Sequence, residues 1–199
     1  MDRAMPREYR KNKRADKEEE TRQRIVEAAV ALHQAVGADA ATVTAIAERA
    51  GVGRVTLYRH FPDERTLYSA CTGHYFRQNP PPDPQPWAEI ADPDQRARTA
   101  LAELYAFYGR TEKMLWRAEH DAATYPVLAE LMQPFIQYLD GVRDLLLAGR
   151  GEADDPRIRA AAGHAVAFST WHSLARGQAL ADDDVIALIL RLIAEPCRD

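Results

Sequence analysis

The stretch TVTAIAERAGVGRVTLYRHF, residues 42–61, decides how the whole chain is read. Val43, Ile46, Ala47 and Ala50 recur at i, i+3, i+4 and i+7, which draws one apolar stripe along a short helix. Thr42 stands just before the stripe, where a hydroxyl accepts a bond from an otherwise unpaired backbone N–H. Gly51 follows it, where a helix ends most easily in a left-handed residue. After Val52 and Gly53 comes RVTLYRHF, in which Leu57 and Phe61 lie one helical turn apart. Arg54, Thr56, Tyr58, Arg59 and His60 take the remaining faces. A short helix, a glycine turn and a second helix rich in Arg, Thr, Tyr and His is the pattern of a helix-turn-helix that reads DNA. An ordinary helical hairpin with a polar outer face satisfies the same periodicity.

Joined to the helix before it and to FPDERTL after it, the stretch resembles the DNA-binding domain of the TetR family of bacterial regulators. TVTAIAERAGV, TLYRHF and the start of a further helix at Asp63 carry the resemblance, which spans about residues 21–75. The rest of the chain matches that family only in length and helical character. The resemblance implies an all-α fold: an N-terminal three-helix helix-turn-helix domain, linked by a fourth helix to a C-terminal helical bundle that dimerises. The implied domains are an arm over residues 1–17, the DNA-binding domain over 18–62, the connecting helix over 63–78, a proline-rich linker over 79–91, and a ligand-binding and dimerisation domain over 92–199. Two residues past the proline-like position after His60-Phe61, the family commonly has a lysine that meets the DNA backbone. Here Glu64 stands there with Arg65 beside it. Either Arg65 takes over the contact, or the contact is missing and the basic arm compensates.

Within this frame the DNA-facing residues are expected to be Thr44 on the first helix of the motif and Arg54, Val55 and Thr56 at the start of the second. Recognition helices meet base edges mainly through their N-terminal residues. Arg54 suits a guanine through two hydrogen bonds, and Val55 or the Thr56 methyl suits a thymine methyl. Tyr58, Arg59, His60 and Arg65 lie further along and suit phosphate or sugar.

Charge is distributed to match. The formal net charge is −4, which is unusual for a DNA binder until the chain is divided. Residues 1–70 carry 13 Lys and Arg against 11 Asp and Glu, whereas residues 71–199 carry 13 against 19. The positive balance sits where phosphates would be neutralised. Residues 1–17 hold Arg3, Arg7, Arg10, Lys11, Lys13, Arg14 and Lys17 with no apolar period, and read as a disordered, solvated tail or as an arm reaching into a minor groove. Helix proper is expected from Glu18–Glu20 to Val36, with Ile25, Ala28, Ala29, Leu32 and Val36 as its core stripe.

Asp63 caps the fourth helix. Five prolines within residues 80–86 then rule out helix interior and read as a stiff, extended connector. Beyond Asp92 every signal is helical, with Thr111 expected to begin a new helix. Tyr105, Tyr108, Trp116, His120, Tyr125, Phe135 and Tyr138 are expected to line a small-molecule cavity between helices, since Tyr, Trp and His carry polar tips that a plain core avoids. Core packing is the rival account of each one singly. The final helix is apolar almost all round and needs two partners. The resemblance implies a dimer interface built from the last two helices, and His164, Phe168, Trp171, Ile189 and Leu192 are the candidates. A two-fold dimer presents two readers to a palindromic site.

Cys71 and Cys197 are far apart without metal spacing, and the histidines show none either, so neither a metal nor a cofactor is expected. No nucleophile–base pair or phosphate loop points to an enzyme. Without a secretory signal or an apolar run of transmembrane length, a cytoplasmic protein with no membrane partner is expected. The expected partners are double-stranded operator DNA, a small-molecule effector and a second copy of the chain. The expected function is a ligand-responsive repressor; a ligand-free architectural or silencing DNA binder is the alternative.

Overall fold

A computed structural model describes residues 7–151 and 153–194, and side chains from residue 12 to residue 193. Among the described residues there is no β-strand, and the all-α expectation holds. The helices are α1 (Arg7–Val36), α2 (Val43–Ala50), α3 (Arg54–His60), α4 (Glu64–Gln78), α5 (Gln85–Ala88), α6 (Pro93–Ala122), α7 (Pro126–Leu131), α8 (Gln133–Leu147), α9 (Pro156–Val166), α10 (Phe168–His172) and α11 (Asp182–Ala194). A π-helical turn, Ser173–Gly177, separates α10 from α11. The chain divides into two compact units. The first is Met1–Gln78 with Arg117–Leu131, and the second is Asn79–Trp116 with Met132–Asp199. No described helix is long and apolar enough to cross a membrane.

In the first unit, α1 to α4 enclose one core. Ile25, Val26, Ala29, Ile46, Ala47, Leu57, Phe61, Leu67 and Cys71 are all buried in it. The expected stripe of α1 stops one turn early, because Val36 is 44 % exposed. Burial pushes the Cys71 thiol up to about 12, which makes it a packing group rather than a reactive one. The ends of α2 follow from its sequence. Thr42 Oγ1 accepts from Ala45 N–H at 3.2 Å. Gly51 takes φ +66°, so that its own N–H reaches Glu48 O and the N–H of Val52 reaches Ala47 O. These two bonds satisfy carbonyls the helix end leaves open, and a β-carbon would strain the left-handed turn that makes them.

Three expectations about chain breaks are corrected. α1 begins at Arg7, so residues 7–17 are helix rather than a disordered tail; residues 1–6 of the expected arm lie outside the described residues. Thr111 does not start a helix. It lies inside α6, buried, with its hydroxyl donating to Phe107 O at 2.7 Å, which frees it from needing a chain break. The proline-rich segment is not wholly extended either. It holds the short helix α5, whose Trp87 is buried, and Pro82 O accepts from the Tyr138 hydroxyl at 2.9 Å.

The second unit is organised by α6, α8, α9 and α11. Arg96 is its least expected member, a charged side chain buried among helices. Its guanidinium donates to Leu145 O at 3.1 Å, Ile90 O at 2.8 Å and Ala148 O, and so closes the carbonyl end of α8. A cation at a helix C-terminus meets the negative end of the dipole, which helps to offset its desolvation.

Candidate nucleic-acid interface

α3 is anchored from one side and open on the other. Leu57 and Phe61, four residues apart, are each 1 % exposed and fix its rotation. Arg22 caps this anchor, its guanidinium 4.7 Å from the Phe61 ring centroid, close enough for a cation–π contact. With that face held, helical geometry sends Arg54, Val55, Tyr58 and Arg59 outward. Val55 is 85 % exposed and Tyr58 45 %. Val55, open at the helix start, draws nothing from core packing. Thr44 on α2 is exposed as well, while Thr56 and His60 are half-buried. His60 turns Nε2 inward, where no described group bonds it, so less of its ring remains for phosphate.

Arg65 is exposed but engaged: it meets Glu130 of α7 at 2.5 Å. That partner lies 65 residues away, and no local pattern announces it. Next to it Asp63 accepts from the Thr66 N–H at 2.7 Å, and this bond, with a second from the Thr66 hydroxyl, holds its carboxyl below the usual range. It is the expected cap of α4, and the negative charge suits a helix start.

The segment Arg117–Leu131 completes the same unit. Asp121 accepts the N–H of Ala38 at 2.6 Å, just after Gly37 turns the chain with φ +83°. Arg117 donates to Ala35 O at 3.4 Å and Tyr125 to Asp39 at 2.7 Å. These three contacts hold the loop that delivers Thr42 to its capping position. Beneath the loop is a cavity of about 230 Å³ lined by His33, Asp39, Thr42, Glu64, Tyr68 and Tyr125 among others. The His33 ring stacks on Tyr68 with centroids 4.9 Å apart. Burial lowers its pKa to about 4, against a smaller upward pull from Asp121, so the imidazole is neutral at pH 7.

The seven residues expected to line one effector cavity are divided between the two units. His120 and Tyr125 belong to the N-terminal unit, His120 exposed and Tyr125 bound to Asp39. Tyr105 and Tyr108 are fully buried, and their hydroxyls donate to Ala165 O and Val166 O. Ala167, extended at ψ 129°, breaks the helix there and removes those carbonyls' helical donors; the two tyrosines replace them. Their polar tips serve the fold, as the core-packing account requires. Phe135 stacks on Tyr138 at 5.9 Å, and Trp116, 49 % exposed, stacks on His172 at 4.4 Å.

The residues expected at a dimer interface differ in how much surface their own chain leaves them. Phe168, Trp171 and Ile189 are at most 2 % exposed within their own chain and have no surface left to offer. Trp171 also donates to Asp182 at 2.9 Å and lies under Arg176. His164 is exposed and 3.3 Å from Thr170 Oγ1, and Leu192 is 54 % exposed, with Leu188 beside it at 41 %. The apolar residues of α11 cover more than one of its faces, and only packing shows that Leu188 and Leu192 lie on the side left open.

Comparison with known proteins agrees with this geometry. Residues 25–71 match the family described as "Bacterial regulatory proteins, tetR family". A TetR-like transcriptional regulator from Rhodococcus sp. RHA1 superposes with a TM-score of 0.62 at 20 % identity, over 87 % of this chain and 93 % of that one. A second transcriptional regulator from the same source gives 0.61 at 17 % identity, over 87 % and 94 %. A mutant of HlyIIR in which one segment is replaced by a linker gives 0.64 at 16 % identity, over 90 % and 98 %. At such identities the superpositions speak for the fold. No curated protein matches the sequence.

Proposed function

We propose, from the match of residues 25–71 to the TetR family and the fold shared with solved regulators, that the protein is a ligand-responsive repressor. Two copies bind a palindromic operator, each placing the start of α3 in a major groove. The observation that carries the reading is the outward row Arg54, Val55, Tyr58 and Arg59 on a helix whose other face is locked by Leu57 and Phe61. Arg54 and Val55 read base edges; Tyr58 and Arg59 hold the backbone. Dimerisation uses the open side of α11 around Leu188 and Leu192, which supplies the second apolar partner that helix needs.

Release follows from linkage. A small molecule taken up by the C-terminal unit, and bound more tightly when the two readers are wrongly spaced, lowers DNA affinity by that difference in its own affinity.

The experiment is a footprint and gel shift on the region upstream of the protein's own gene, followed by the same shift with Arg54→Ala. A protected palindrome with loss of protection in the variant supports the reading. Equal, unprotected binding along the whole fragment, with no molecule that releases it, favours the architectural alternative. Light scattering at micromolar concentration checks the dimer, and a monomer there overturns it.

A further inference from the structure

Among its described side chains, the start of α1 packs against nothing. The helix runs from Arg7, yet among its described side chains the first buried one is Ile25, and residues 12–20 are all exposed. Isolated helix is marginal in water, and residues 12–20, all exposed, draw no stability from packing. Their surface chemistry is therefore the place to look.

At 3.6 residues per turn, Lys13, Arg14, Lys17, Thr21 and Arg24 fall within an arc of roughly 100°. Asp16 and Glu19 lie on other faces, Glu20 borders the arc, and Glu18 is drawn to Arg14 at 3.3 Å in an exposed pair of little strength. One end of the stripe is located by Arg24, which donates to Ala50 O at 3.3 Å. A β-carbon on Gly51 would stand 3.9 Å from the same guanidinium. The stripe thus starts beside the turn that launches α3 and runs away from it. From Arg24 to Lys13 it covers roughly 16 Å of helix axis, comparable with the rise of about five phosphates on one DNA strand.

We propose that Lys13, Arg14 and Lys17 form a phosphate-binding face for duplex DNA flanking the site that α3 reads. This rests on the DNA-binding reading above and extends it to a second surface. Cations on flexible stems carry no base code, so the contact adds affinity and orientation without adding sequence preference. It also supplies the positive charge that Glu64 withholds at the start of α4, and that Arg65 spends on Glu130.

The test compares the unaltered chain with Lys13→Gln/Arg14→Gln/Lys17→Gln on two duplexes from the footprinted upstream region: one with about ten extra base pairs on each side, one trimmed to the half-sites. Arg24 is left alone because it also binds the end of α2. Each lost phosphate contact lowers the salt slope by about 0.9, so three contacts in each of two protomers lower it by about 5.4 and make the unaltered chain lose roughly 2,000-fold more affinity than the variant between 50 and 200 mM salt. The expected result is that difference on the long duplex, its disappearance on the trimmed one, and its recovery in Lys13→Arg/Lys17→Arg. Identical slopes for both proteins on the long duplex, with binding intact and the helical signal unchanged, overturn the proposal while leaving the regulator reading standing. Failure of the unaltered chain to bind any duplex overturns both.

Discussion

Acid should loosen the N-terminal unit through His33, opposed by Glu119, whose carboxyl is held above the usual range by burial so that its protonation favours the fold as the pH falls. The imidazole is 9 % exposed, stacks on Tyr68, and has its pKa lowered from 6.5 to about 4 by burial. Between those values the unfolded chain holds a proton that the folded chain refuses, so stability is full above pH 6.5 and falls as the pH drops towards 4. Integrated from pH 7 to pH 5, that difference amounts to about 2 kcal/mol. Asp63 and Asp155, whose pKa values are held below 3.8, lose their contributions only at lower pH, so the window from 6.5 to 4.5 is free of them. Trp87, Trp116 and Trp171 all lie in the C-terminal unit, so tryptophan fluorescence misses the event. The assay is amide hydrogen exchange at Ile25, Val26 and Ala29, corrected for the intrinsic pH effect and converted to a free energy of opening. His33→Phe keeps a ring against Tyr68 and removes the titration, so its exchange energy should not fall across the window. An equal fall in His33→Phe, or no fall in the unaltered chain relative to it, refutes the argument.

Asp121→Ala leaves the nearly buried N–H of Ala38 without its acceptor and should lower the same exchange energies by about 1–3 kcal/mol, whereas Asp121→Asn, which keeps an oxygen in place, should cost less. Glu130→Gln frees Arg65 for phosphate and should tighten DNA binding by about two- to five-fold at low salt, the range expected of an exposed ion pair, with the gain abolished in the double variant with Arg65→Gln. Arg54→Ala should relax sequence preference by about 1–3 kcal/mol while Tyr58→Phe weakens all sequences alike; competition binding against a scrambled site separates the two, and equal weakening by Arg54→Ala rules it out as a base reader.

What the sequence by itself determined is the part whose causes are local. The cap at Thr42, the left-handed Gly51 and the spacing of Leu57 and Phe61 each act over at most about one turn, and each is found as read. From these alone follow the two helices of residues 42–61, their inward faces and hence the outward row that begins at Arg54. What only the tertiary structure decided is where polar groups far apart in the chain spend their bonding capacity. Tyr105 and Tyr108 read as cavity residues, but a break at Ala167, about 60 residues on, opens two carbonyls that claim their hydroxyls. Arg65 reads as a phosphate contact until Glu130 is found beside it, and Asp121 has no visible task until it meets Ala38 across 83 residues. The basic run at the N-terminus shows the same limit from the other side. Its composition reads as tail, and only the continuation of α1 through it aligns Lys13, Arg14 and Lys17 on one face. Periodicity states which side of a helix is apolar; a polar side chain's partner depends on which distant backbone group the fold leaves unpaired.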